Sequence, residues 1–144
     1  MAWDFSTEPD FAEQLDWMRR FLDDEILPLE TIQHDLTEEA WDEVTAPLKQ
    51  QVKDRGLWAC HLDPELGGQG FGQVRLALMH EILGRSGIAP PIFGNQAPDS
   101  GNAELIAIGG DEAQKERWLR PLLDGTLRSA YSMTEPRWRA ATRR

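Results

Sequence analysis

Between residues 11 and 29 the apolar side chains Phe11, Leu15, Met18, Phe21, Leu22 and Leu29 recur mostly at spacings of three, four and seven, with acids and arginines in the gaps. That period matches the turn of an α-helix and predicts an amphipathic helix of about five turns, whose apolar stripe must be covered by something else. Ahead of it, Ser6-Thr7-Glu8-Pro9-Asp10 offers a hydroxyl N-cap, early acids and a proline suited to the first turn. Pro28 is expected to end or kink the helix, because its ring cannot continue the hydrogen-bond ladder.

The same reading carries along the chain. Thr37 is expected to cap a second segment, Pro47 to divide it, and Gly56 to end it in the left-handed conformation that glycine adopts without cost. Residues 56–62 form a short apolar link and residues 63–72 a glycine-rich loop. Val74, Ala77, Leu78 and Ile82 predict a helix over 73–83 closed by Gly84, and residues 85–99 a long connection. Asp99 or Ser100 is expected to cap a short apolar helix that stops at Gly109-Gly110. Asp111 and Gln114 have the spacing of a capping box for a last helix ending near Gly125. Only Leu127–Thr134 alternates like a strand, and a lone strand cannot satisfy its own backbone. The expected fold is therefore all-α: an antiparallel helical bundle over about residues 5–125, with one orphan β-strand at its C-terminal end, unpaired or paired with another chain.

At 144 residues the chain suffices for one domain with a real core. Six tryptophans predict extensive buried aromatic surface, or a surface meant for another subunit. No stretch reaches the roughly 20 apolar residues of a membrane span, so no membrane span is expected. The Met-Ala-Trp-Asp-Phe start lacks the basic and apolar regions of a secretion signal. The single cysteine, Cys60, forbids an intrachain disulfide and fits a reducing compartment, so a cytoplasmic location is expected. Within Trp58-Ala59-Cys60 the thiol reads as a small buried hydrophobe rather than a nucleophile. A formal charge of −10 disfavours nucleic acid. That charge is uneven: residues 137–144 hold four arginines and no acid, leaving 11 bases against 25 acids, or −14, on the rest.

Motifs that carry chemistry are nearly absent. His80-Glu81-Ile82-Leu83-Gly84 lacks the second histidine that a helical zinc site needs at its fifth position. His34 and His61 have no partner ligand at metal spacing and read as surface or interface residues. Gly67-Gly68-Gln69-Gly70-Phe71-Gly72 has no Lys-Ser/Thr of a phosphate loop, and reads as a tight backbone path. Acid runs such as Asp23-Asp24-Glu25 read as solvated helix surface. No catalytic residue and no metal ligand set is expected from the residues themselves.

Four segments in order do carry a resemblance: Gly56-Leu57-Trp58 through Pro64-Glu65-Leu66-Gly67-Gly68-Gln69-Gly70; Leu78 to Gly84; Gly109-Gly110-Asp111-Glu112 through Trp118-Leu119-Arg120-Pro121 to Gly125; and Tyr131-Ser132-Met133-Thr134-Glu135-Pro136. Together they resemble the N-terminal helical domain of the acyl-CoA dehydrogenases over residues 5–136. The resemblance implies residues 5–126 as that helical domain and 127–136 as the entry to a middle β-domain. It further implies an FAD-dependent α,β-dehydrogenation of a fatty acyl-CoA thioester, with an electron-transferring flavoprotein as electron acceptor. In the family, FAD lies between the β-domain, a C-terminal helical domain and a neighbouring subunit, and the catalytic glutamate sits in the C-terminal domain. By resemblance Tyr131, Ser132, Met133 and Thr134 face the flavin, while Ala97, Ser100 and Gly101 border the acyl pocket. Ala97-Pro98-Asp99-Ser100-Gly101-Asn102 is similar to the branch that acts on long, branched or hydroxylated acyl chains.

After Pro136 the resemblance stops. The family continues with a loop ending Gly-Ser-Asp, whereas here a basic tail, residues 137–144, takes over. A family-like continuation can be back-translated with the chosen codons CCG GAG GTG GCG GGC AGC GAC CCG ACG. With one G removed they read Pro-Arg-Trp-Arg-Ala-Ala-Thr-Arg-Arg, identical to Pro136 through Arg144. The tail is therefore expected to be a frameshift product. On this reading the chain is a dehydrogenase fragment, inactive and without retained FAD on its own, and self-associating or hetero-associating through apolar surface. The competing reading is a non-catalytic helical module that docks on another protein or a full-length paralogue.

Overall fold

The computed structural model describes residues 6–132. The chain divides into two compact units, Met1–Gln96 and Ala97–Arg144. In the first unit α1 spans Pro9–Phe21, continues through a π turn at Leu22–Ile26, and ends as α2, Leu27–Glu30. α3 is Glu38–Asp54, α4 Gly72–Leu83 and α5 the short Ala89–Ile92. The second unit holds α6, Asp99–Gly109, then α7, Glu112–Gln114, a second π turn at Lys115–Leu119, and α8, Arg120–Asp124. Among the described residues there is no strand.

The stripe read from the sequence is the core of the first unit. Phe11, Leu15, Met18, Phe21 and Leu22 are buried and Leu29 half-buried, joined by buried Ile26, against Leu48 and Val52 of α3, Met79, Ile82 and Leu83 of α4, and Ile92 and Phe93. Side chains of this size contribute about 1.5–3 kcal/mol each when fully buried. Trp17 stacks on Phe21 with centroids 4.6 Å apart, and Phe93 meets Phe21 edge-on at 6.1 Å. Trp17, Trp41 and Trp58 are half-buried against this core. Their exposed ring faces are partly used: Arg55 lies over Trp17 and Lys53 over Trp58.

α1 and α4 run side by side in the same direction. Phe11 meets Phe71 edge-on and Arg75 pairs with Glu8 where both helices begin. Arg85 pairs with Asp23 where both end, at 2.6 Å. The antiparallel arrangement expected from the sequence does not hold for this pair. The long stretch between them, which includes α3, makes the parallel pairing feasible.

Several helix ends follow the sequence. Thr37 accepts the Ala40 N–H at 3.3 Å. After α3, Gly56 takes φ 67°, its N–H reaches Lys53 C=O at 2.9 Å, and the Leu57 N–H reaches Val52 C=O at 3.1 Å. These two bonds make a Schellman stop. Asp111 and Gln114 exchange both bonds of a capping box. Others differ. The N-cap of α1 is Glu8, with no side-chain bond, so the Ser6 and Thr7 hydroxyls do not cap it. α6 begins after Pro98, and neither Asp99 nor Ser100 caps it. Pro47 lies inside an unbroken α3. The connection over 85–99 contains α5.

The glycine-rich loop is a tight backbone path. Gly70 N–H bonds Leu62 C=O at 2.9 Å, which brings the loop back over residue 62. A Cβ on Gly68 would stand 2.0 Å from that same carbonyl oxygen, so only glycine fits there.

The expected orphan strand at 127–134 is the main correction to the fold class. Through Ser132 it makes no ladder, and Met133 and Thr134 lie outside the described residues, as does the tail 137–144. The physical reason is at Ser129, whose N–H donates to the Asp99 carboxylate at 2.8 Å. A side chain satisfies the backbone that a neighbouring strand would otherwise have to satisfy.

A candidate acyl-binding groove on the second unit

The second unit has a small core. Ala103 and Ala107 of α6 are buried, as are Leu119 in the π turn and Leu122 of α8. The left-handed Gly125, φ 76°, stops α8 as expected, with Thr126 N–H bonded to Pro121 C=O at 3.0 Å. The chain then turns back to the start of α6. There Asp99 accepts from Ser129 N–H at 2.8 Å, from Ser129 Oγ at 2.6 Å and from Arg128 Nε at 3.0 Å. Asn102 Nδ2 donates to the same Ser129 Oγ at 2.9 Å.

This junction forms one wall of a groove of about 590 Å³, lined by Ala97, Pro98, Gly101, Ser129, Ala130 and Tyr131. A second depression of about 350 Å³ runs on along α6 past Leu105 and Ile108 and shares Gly101 with the first. Of the residues singled out from the sequence, Ala97, Gly101 and Tyr131 thus come together. Ser100 does not line the groove, and Ser132 is exposed beside it. Ser129, which lines the wall, was not read as a site residue: its bond to Asp99 spans thirty positions and leaves no local signal.

Chemically the groove is suited to hold rather than to react. Its lining is mostly apolar, and its one hydroxyl nearest the helix, on Ser129, is already given to Asp99. Among the described residues that line it none is basic, so none offers a contact for a pyrophosphate. Such a lining suits an apolar ligand.

Reactive groups elsewhere are quiet. Burial pushes the Cys60 thiol up to about 12, far from a nucleophilic thiolate. His34 and His80 are exposed, and half-buried His61 faces Asn95 Oδ1 at 3.3 Å through Nδ1. His61 is thus a packed residue rather than a surface one. Among the described residues no group of three His, Cys, Asp or Glu side chains could hold a metal ion. Nor is any helix among them long and apolar enough to cross a membrane.

Residues 9–126 match the family model for the acyl-CoA dehydrogenase N-terminal domain. The chain belongs to the acyl-CoA dehydrogenase family. It is 38% identical over 127 residues to acyl-CoA dehydrogenase family member 11 of Pongo abelii, covering 83% of this chain and 16% of that protein. It is 48% identical over 90 residues to the Mycobacterium tuberculosis protein named probable acyl-CoA dehydrogenase FadE2, covering 62% and 21%. A solved structure assigned to the acyl-CoA dehydrogenases, from Mycobacterium abscessus, superposes with a TM-score of 0.80 at 39% identity, covering 94% of this chain and 36% of that one. The chain thus spans a small part of the relatives it matches.

Proposed function

We propose that this chain serves as the N-terminal helical domain of an FAD-dependent acyl-CoA dehydrogenase, and that the groove beside Tyr131 is its contribution to the substrate and flavin cavity. The observation that carries the reading is the convergence of Ala97, Gly101 and Tyr131 on one apolar groove in a chain of this family. In this role Ala97, Pro98 and Gly101 line the acyl chain's path, and Tyr131, Ser132, Met133 and Thr134 face the isoalloxazine edge. The redox chemistry is that of FAD, to which the family passes the β-hydride of the acyl thioester. The groove's part is to desolvate the aliphatic chain and orient it. Residues 5–126 act as the helical domain, 127–136 as the entry to the β-domain, and 137–144 as out-of-frame residues, which resequencing the DNA at the Pro136 codon tests. Acyl-CoA, an electron-transferring flavoprotein and further copies of the subunit are the partners of the whole enzyme, which works in the cytoplasm. The chain alone carries no base for the α-proton and does not turn over.

The exposed apolar side chains of the second unit favour a second reading, a helical module that docks on another protein. A chimera separates the two. Residues 1–136 replace the corresponding domain of the Mycobacterium tuberculosis relative, and visible flavin absorbance and acyl-CoA-dependent dye reduction are compared with the unmodified parent. A flavin-loaded, active chimera is expected. A folded chimera that neither retains flavin nor oxidises acyl-CoA, beside an active parent, would leave the docking module as the better account.

A further inference from the structure

We propose that Asp99 is a positioning residue: its carboxylate clamps residues 128–129 onto the start of α6 and so fixes Tyr131 as the wall of the groove. Asp99 is the first residue of α6, one past the N-cap Pro98, and no side-chain bond from that N-cap closes the helix. Both carboxylate oxygens face the returning chain. Oδ1 takes the Ser129 amide and hydroxyl, and Oδ2 takes Arg128. The Ser129 oxygen in turn accepts from Asn102, one turn along α6, so a second residue of the helix ties to the same segment. Only 14% of the Asp99 side chain is exposed, whereas Arg128 is 67% exposed. Shielded, charge-assisted bonds to the Ser129 amide are the strong members of the set, and the Arg128 pair is the weak one.

Tyr131 follows two residues later and is 72% exposed. A ring with so little packing of its own takes its place from the backbone that carries it. Ser129, Ala130 and Tyr131 all line the groove, so releasing the clamp opens one of its walls. The clamp itself is independent of any ligand. Its consequence for binding rests on the groove reading above, and the test keeps the two apart.

Tyr131 is the only tyrosine of the chain, so labelled tyrosine gives a single reporter in the full 144-residue protein. Ser129 amide exchange and the Tyr131 resonance would be followed in wild type, Asp99→Ala, Asp99→Asn, Ser129→Ala and Arg128→Ala. In Asp99→Ala the Ser129 amide is expected to exchange roughly tenfold faster or more, with Leu122 unchanged. Asp99→Asn, which keeps one acceptor, should fall between, and Arg128→Ala should stay near wild type. Unchanged Ser129 exchange in Asp99→Ala, or an equal effect from Arg128→Ala, would overturn the clamp. Should Asp99→Ala not fold, Asp99→Asn and Ser129→Ala carry the same comparison. Lauroyl-CoA is then titrated against the Tyr131 resonance. Weaker binding in Asp99→Ala supports the positioning role, and unchanged binding with a released segment refutes it. A wild-type Tyr131 signal that ignores the probe, with exchange as expected, leaves the clamp standing and defeats the groove reading alone.

Discussion

Glu30 does more for the first unit than its place at the end of α2 suggests. Its carboxylate accepts from Ser86 Oγ at 2.6 Å and from the Gly87 N–H at 2.8 Å. Ser86 Oγ in turn accepts the Ile88 and Ala89 N–H groups that open α5. The Ser86 hydroxyl, more than the backbone amides, holds the Glu30 carboxyl below its ordinary value of 4.5, against a smaller opposing effect of burial. A carboxylate whose value falls on folding adds stability that is full above the unfolded value and disappears as the pH drops through the folded one. Glu30→Gln should therefore be less stable than wild type at neutral pH, with the gap closing as the pH falls below 4.5. Urea unfolding across that range checks it, and a pH-independent gap would show that shape rather than charge matters. Exposed Glu39 shifts in the same direction through its own backbone N–H and Thr37, so the variant-to-wild-type difference is the quantity to follow. Cys60, by contrast, is inert by burial, as its apolar neighbours in the sequence imply.

Proline separates what local sequence foretells about the helices from what it does not. Pro28 and Pro121 each stand two residues after a π turn, at Leu22–Ile26 and Lys115–Leu119. A wider turn there moves the carbonyl that a proline ring would strike four residues back, so the chain stays helical through both. The sequence marks the prolines but not the extra residue, which depends on how the flanking apolar faces must line up. Pro47 has no such turn and leaves Glu43 C=O without its helical donor inside α3. The helix survives because Thr37 and Gly56 fix its ends and Leu48 and Val52 are buried. Pro47 is itself exposed, so Pro47→Ala restores the missing bond without disturbing the core. It should stabilise the protein by about 1–3 kcal/mol, read from the urea midpoint at unchanged slope. A loss of stability would mean the proline's rigidity outweighs the bond. Thr37, Gly56, Asp111 and Gly125 were legible because a cap needs only residues within one turn. The strand was misread for the opposite reason, since alternation in Leu127–Thr134 says nothing of which partner satisfies the backbone, and Asp99 does so from thirty residues away.

At the scale of the molecule, the two units use their apolar residues differently. The first buries a continuous core from Phe11 to Phe93. The second buries Ala103, Ala107, Leu119 and Leu122 but leaves Leu105 at 70% and Ile108 at 72% exposed on the same helix. Periodicity could not have warned of this, because Leu105-Ile106-Ala107-Ile108 make the last turn of α6 apolar on every side and the sequence does not say which stripe faces inward. The groove residues Ala97, Gly101 and Tyr131 were likewise reached through family resemblance, their separation along the chain being too large for any spacing rule. Uncovered aliphatic side chains beside an apolar groove favour association, at about 25 cal/mol for each Å² removed from water. The chain is expected to self-associate with rising concentration through α6, in addition to any partner the whole enzyme supplies. Leu105→Lys with Ile108→Glu should return it to monomer in sedimentation velocity without altering its helical circular dichroism. Both positions face outward, so the exchange costs little inside the fold. A wild-type chain that stays monomeric at high concentration, or a variant that associates as strongly as wild type, would show that this face is not the sticking surface.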